Sequence, residues 1–366
     1  MPTKIKNILL ILITAVFLLG FSVWSVLKPD EIESVSERRQ LAEFPALNTK
    51  TVLSGDFMTS FEKYTLDHFP LRDGFRTVKA VTSFYFFRQK DNNDIYIKNG
   101  YASKLEYPMD KESIRYAADR FRFVYERFIA GTDMKVYLSV IPDKNFFMAK
   151  VNGYPSMNYD VFINEIKSEM DFAEYIDITN HLELSDYYRT DTHWRQEKIF
   201  DVAVHLASSM GITLKGEYVE KKAEKPFYGV YYGQSALPLP ADKISYLDNQ
   251  VLNRCRVYDY ETDTYLPVYN LEKLDGNDGY EMFLSGSKSL LVIENPSVSN
   301  GKELIIFRDS FGSSLAPLLA EGYEKITLVD IRYISPNVLE RFLTFENQDV
   351  LFLYSTSVLN NSVTIK

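Results

Sequence analysis

Cysteine is nearly absent from this chain: among 366 residues there is one, Cys255. An internal disulfide framework and a multi-cysteine zinc site are therefore excluded. Its neighbours Arg254 and Arg256 would favour a thiolate. No catalytic partner is evident near it, so it reads as an ordinary strand residue. Histidine is almost as scarce, with four. Basic charge is in deficit: 41 Lys and Arg against 50 Asp and Glu leave a formal charge of −9, which offers nucleic acid no footprint. There is no repeat of fixed period and no low-complexity tract. A content of 46% apolar and 25% charged residues excludes disorder, a collagen-like fibre or a polytopic membrane protein for the whole chain. Aromatic volume is plentiful: 26 Tyr, 25 Phe and 2 Trp are ample for a core, and Tyr also suits surfaces that meet sugars.

Long apolar runs are missing everywhere except at the N-terminus, where twenty uncharged residues extend from Ile8 to Leu27. At ~1.5 Å per residue they match the ~30 Å hydrocarbon core. Lys4 and Lys6 precede the run, which predicts a cytoplasmic N-terminus and an extracytoplasmic remainder. A cleaved signal peptide is the competing reading, but its apolar region is usually ~7–15 residues. Val23-Trp24-Ser25 is also a poor cleavage site. With Lys4, Lys6 and Lys28 set aside, the rest of the chain carries −12.

Residues 1–28 thus read as stub and anchor, 29–56 as a tether, and 57–366 as the folded domain. Helical spacing is expected over Phe57–His68, Lys111–Ala130, Val161–Met170 and Gln196–Met210, with short strands at Lys135–Ile141 and Tyr175–Ile178. Residues 216–300 hold many Gly and Pro and short Tyr/Val runs, so a β-rich insertion or lobe is expected there. Strand and helix then alternate: Glu303–Phe307, Ser313–Ala320, Lys325–Val329, Pro336–Phe345 and Asp349–Tyr354. That rhythm predicts a parallel sheet covered on both faces.

Two segments can carry chemistry. In Asp191-Thr192-His193-Trp194 the carboxylate, two residues from the imidazole, can fix its tautomer and leave the other ring nitrogen free to take a proton. Alternatively Asp191 and Thr192 only cap the following helix. In Arg308-Asp309-Ser310-Phe311-Gly312 a buried strand ends at a serine entering a helix. The hydroxyl then stands at the carboxyl edge of the sheet, with helix amides available for an oxyanion. There too the bland reading is a cap. Together the two segments supply a nucleophile, a base and an orienting acid. His205 lies mid-helix with Val202 and Leu206 and reads as structural, and His181 lacks an adjacent carboxylate at the same spacing. His68 follows Asp67 and could form a second pair, but reads as a helix end held by Arg72 and Asp73.

With these residues in view, the chain resembles the DHHW family of Gram-positive bacteria, related to the SGNH-hydrolase-like alginate O-acetylation proteins. The resemblance rests on DTHW at 191–194, DSFG at 309–312, the anchor, SERRQLAEFP at 36–45, YTLDHFPLRD at 64–73 and DIRY at 330–333. It implies a flavodoxin-like α/β core of permuted, SGNH-like type, with Ser310 as nucleophile, His193 as general base and Asp191 as the orienting acid. The family often has histidine where Thr192 stands, a position outside the three catalytic roles. Ser310 N–H and Gly233 are the candidate oxyanion donors.

The expected function is extracytoplasmic transfer of acetyl groups to, or their removal from, hydroxyls of a cell-surface or secreted polysaccharide. The alternative is a catalytically silent anchored scaffold or glycan-binding subunit. No cofactor and no metal site are expected, because acetyl-CoA is not available outside the membrane and no phosphate-binding loop appears. A membrane-bound O-acyltransferase is the implied acetyl donor.

Overall fold

The computed structural model describes residues 3–366. It divides into two compact units. One contains the chain up to Asn93 together with Tyr232–Pro238; the other contains Asp94–Tyr231 and Leu239–Lys366.

The first unit begins with helix α1 (Thr3–Leu27), long and apolar enough to cross a membrane. Helices α2 (Asp56–Asp67) and α3 (Arg72–Val81) follow, the latter continued by a π-helical turn at Thr82–Phe86. The stretch 29–56, tether-like in composition, is tied to these helices by charge. Arg39 grips Asp67 with two hydrogen bonds of 2.9 and 2.5 Å, while Arg72 and Arg76 reach Glu37 at 2.6 and 3.1 Å. The Arg39 hydrogen bond holds the Asp67 carboxyl down at about 2. His68 caps α2, its Nε2 2.9 Å from the Ala42 carbonyl and its Nδ1 3.6 Å from Asp30. Arg72 therefore serves Glu37 rather than His68.

The second unit is organised by an eight-stranded sheet. In chain order its strands are β1 (Val136–Ile141), β2 (Glu174–Tyr175), β3 (Arg256–Asp259), β4 (Thr264–Leu266), β5 (Leu290–Glu294), β6 (Glu303–Arg308), β7 (Lys325–Val329) and β8 (Asp349–Ser355). Their spatial order is β4-β3-β5-β7-β6-β8-β1-β2. The five strands from β7 to β2 run parallel. Counted from β6, these read 2-1-3-4-5, the flavodoxin-like order, with the last two positions encoded first in the chain. The expected permuted core is thus present.

Alternation along each strand feeds two separate cores. Leu304 and Ile306 face one layer with Val202, Leu206, Leu315 and Leu319, from helices α6 (Phe200–Ser209) and α7 (Gly312–Leu319). Ile305 and Phe307 face the other, with Ile114, Phe121, Phe162 and Ile166 from α4 (Lys111–Val124) and α5 (Tyr159–Glu169).

The β-rich segment is not a detached lobe. Strands β3, β4 and β5 extend the main sheet antiparallel, β5 pairing with β7. Only the hairpin Val219–Phe227 with Asp242–Asp248 stands apart as its own two-stranded sheet. Over Pro336–Phe345 the expected helix shortens to a 3₁₀ segment, Pro336–Arg341, in which Leu339 is the one buried large apolar side chain. A single such anchor does not sustain several turns. Cys255 lies buried just before β3, and burial pushes its thiol up to about 12, opposite to the effect of its arginine neighbours.

Phe352, at the centre of β8, stacks on Phe307 at 4.9 Å and touches Phe121 at 5.0 Å. Phe352→Ala should cost about 3–5 kcal/mol. Denaturant unfolding of the full chain checks this, and a loss below 1 kcal/mol would show that the aromatic stack is not central to the core.

Candidate active site

All five parallel strands direct their carboxyl ends to one edge of the sheet, where open α/β folds bind ligands. There β6 ends at Arg308, and Ser310 precedes α7. Asp309, fully buried, fixes this turn by accepting from the backbone N–H of Phe311 (3.0 Å) and of Ser355 at the end of β8 (2.7 Å). Gly312 is required by the close approach of Arg308, whose Cβ would lie 2.8 Å from an added Cβ. Ser310 stays partly exposed while its neighbours are buried.

The second segment reaches the same place. His193 Nε2 lies 2.7 Å from Ser310 Oγ, and His193 Nδ1 lies 2.6 Å from Asp191 Oδ1. Asp191 also accepts from the His193 backbone N–H at 3.0 Å and, through Oδ2, from Val230 N–H at 2.9 Å. The carboxylate keeps the proton on Nδ1, so Nε2 is free to accept from the serine hydroxyl. Serine, imidazole and carboxylate therefore form one hydrogen-bonded line across 117 residues of sequence. The N-cap residues of the two helical segments that follow, Arg195 and Ile199, make no side-chain cap hydrogen bond.

Several groups that hold this line carry no sequence signal. Tyr280 lies flat on the imidazole, ring centroids 3.8 Å apart and planes within 8°. Trp194 joins the two segments, its Nε1 donating to Phe311 O (3.2 Å) and Ser314 Oγ (2.9 Å). Asp242, from the separate hairpin, accepts from Arg189 N–H, Thr190 N–H and the Thr190 hydroxyl. A Cβ on Gly229 would fall 2.3 Å from Asp191 Cβ, so only glycine lets the Val230 amide reach the carboxylate. Lys144, buried just past β1, donates to Tyr188 O (2.9 Å) and Arg189 O (3.3 Å). Its ammonium also lies 4.8 Å from the centre of the Tyr231 ring. Burial pushes its amine down to about 7, against the pull of Asp191 and Asp242.

Gly233 is accounted for elsewhere. It belongs to the first unit, where a Cβ would fall 1.5 Å from Ser36 O and where its own carbonyl accepts from Arg76 at 2.9 Å. Close backbone packing explains this glycine, and none of the contacts described for Ser310 or His193 involves it. No cluster of three metal-ligating side chains occurs among the described residues.

The DHHW family profile matches residues 150–329, a stretch that contains both candidate segments. Over that stretch the chain matches the DHHW family model. Among solved structures it is similar to a DHHW family protein from Eubacterium siraeum: 21% identity, TM-score 0.60, covering 75% of this chain and 95% of that one. It is also similar to Bacillus cereus PatB1: 17% identity, TM-score 0.56, covering 72% and 96% respectively. These likenesses establish the shared fold. The sequence matches no curated protein.

Two outcomes test this geometry. Gly229→Ala should push Asp191 aside and slow labelling of Ser310 by a sulfonyl fluoride about 100-fold while the protein stays folded. Unchanged labelling would mean that the carboxylate does not orient the base. The second concerns Lys144. The unfolded chain keeps its proton to about 10.5, whereas the folded chain releases it near 7, so the unfolded state holds more protons in between and stability rises with pH there. The stability advantage of the parent over Lys144→Met should therefore grow between pH 6 and 10, measured by denaturant midpoints. A flat difference would show that the buried amine keeps its ordinary proton affinity.

Proposed function

We propose that this protein is an extracytoplasmic acyl-transfer enzyme that moves acetyl groups to, or removes them from, hydroxyls of a cell-surface or secreted polysaccharide. The observation that carries the reading is the continuous line Asp191–His193–Ser310, with contacts of 2.6 and 2.7 Å. A structure of Bacillus cereus PatB1, alike in fold, has been solved with a sulfonyl adduct. By that analogy Ser310 is the side chain a sulfonylating reagent would modify here.

In this mechanism Ser310 Oγ attacks the acetyl carbonyl as its proton passes to His193 Nε2. The carbonyl oxygen becomes an oxyanion, for which Ser310 N–H at the entry to α7 is the first candidate donor. Collapse of the intermediate breaks the ester bond, and His193 returns the proton to the departing alkoxide. An acetyl-serine remains. An incoming hydroxyl then gives its proton to Nε2 and attacks that ester, releasing Ser310. A sugar hydroxyl as acceptor makes the protein a transferase, and water makes it an esterase. Asp191, fully buried, stays hydrogen-bonded to the imidazolium that forms in each step.

Helix α1, with Lys4 and Lys6 at its cytoplasmic side, would tether the enzyme outside the membrane. The donor is then an acetyl group relayed by a membrane-bound O-acyltransferase.

Incubating the full chain with an acetyl ester reporter should give turnover and an acetyl adduct on Ser310 detectable by mass spectrometry. Ser310→Ala should abolish both, and His193→Ala should lower turnover about 10³-fold or more. Equal adduct formation in the Ser310 variant would overturn the assignment. An unreactive parent that still binds glycan would favour the silent scaffold instead.

A further inference from the structure

Although the chain is acidic overall, one part of the first unit departs from that balance. Between Arg72 and Lys90 there are five basic residues and one acidic residue. Here α3 and the π-helical turn that continues it carry large apolar side chains in the open. Val78 is 65% exposed, Tyr85 63%, Phe86 77% and Phe87 68%. The opposite side is committed to protein: Ala80 is fully buried, and Arg72 and Arg76 are paired with Glu37. Exposed aromatics interleaved with basic residues such as Lys79 and Arg88 form the pattern of a helix that lies in a membrane interface.

The position of the anchor gives this face a depth. Phe21 of α1 stacks on Phe69, centroids 5.4 Å apart and planes within 3°, and meets Phe75 of α3 edge-on at 5.8 Å. The apolar run of α1 ends at Leu27, six residues later, or about 9 Å along the helix. Twenty apolar residues barely cover a ~30 Å hydrocarbon core, so Leu27 must stand near its boundary. Side chains that touch Phe21 are then held at about the 5–10 Å depth of the headgroup and acyl boundary.

The geometry points to a membrane-interface collar: Arg72–Phe86 lies in the headgroup layer of the anchor's own bilayer, with Phe75, Val78, Tyr85 and Phe86 in the acyl boundary. This inference rests on the reading that α1 spans the membrane. The occupant of the exposed face is lipid, because the face is continuous with the fully exposed anchor helix and its basic fringe matches anionic headgroups. The collar would fix the first unit flat against the membrane rather than leaving it on a free tether.

Spin labels placed at single cysteines, in a Cys255→Ser background, test the collar in the full chain. The sites are Val78→Cys and Phe86→Cys in the collar, Leu12→Cys in the anchor and Glu112→Cys in the second unit. The protein is reconstituted into vesicles of phosphatidylglycerol and phosphatidylethanolamine in equal parts. Labels at 78 and 86 should collide several-fold more with oxygen than with an aqueous nickel chelate, with the reverse ratio at 112. A deep label at 12 with aqueous labels at 78 and 86 overturns the collar and leaves the anchor standing. An aqueous label at 12 overturns both. Labels at 78 and 86 that are aqueous in lipid alone but shielded in native membranes would assign the face to a protein partner, and that also overturns the collar.

Discussion

A carboxylate with no exposure to solvent governs the local structure around the candidate active site. Burying the charge of Asp191 costs several kcal/mol unless donors replace its water. The imidazole N–H, the His193 amide and the Val230 amide do so. Each donor imposes a condition. The first fixes the histidine tautomer, the second closes the Asp-x-His turn, and the third brings a distant strand end so near that residue 229 can carry no side chain. The neighbouring Thr190 repeats the pattern, tying the same loop to Asp242 of the separate hairpin and to the Gly229 amide. The hairpin therefore braces the Asp191–His193 loop, and the inserted region is part of the candidate site's architecture.

The tryptophan of the DTHW segment has a physical role of the same kind. Its indole N–H spans from the histidine loop to the first turn of α7, and Gln196 adds a second bridge to Ser314 O at 2.8 Å. Tyr280 closes the remaining face of the imidazole and is itself held through Ser314 Oγ at 2.8 Å. The distance between His193 and Ser310 is thus set by a frame of buried aromatic side chains and not by these two residues alone.

What the sequence disclosed followed local chemistry. The parallel core was legible because strands such as Leu304–Phe307 and Val350–Tyr354 are buried on both faces and read as continuous apolar runs. Asp191, His193 and Ser310 were legible because each sits in a short segment whose neighbours explain its setting. The fate of residues 216–300 was not legible. Strand pairing there is antiparallel and long-range, and nothing local tells Arg256–Asp259 to join β5 rather than a separate sheet. Tyr280, Lys144 and Asp242 escaped for the same reason, since their roles exist only once distant segments meet. For Gly233 the close approach of Ser36 gives a packing reason for glycine that no local sequence could show.

The permuted strand order also sets a schedule. Strand β1 is made early, yet its partner β8 lies at the far end of the chain, with Val136 opposite Val350. At ~5–20 residues per second of synthesis, β1 waits on the order of 10–40 s for the segment that covers its inner edge. During that interval a mostly apolar strand lacks the partner that covers one of its edges, and the turn at Ser310 has no completed sheet on which to rest. The turn that carries Ser310 can close against Ser355 only once β8 has been made, so this serine is positioned late in synthesis.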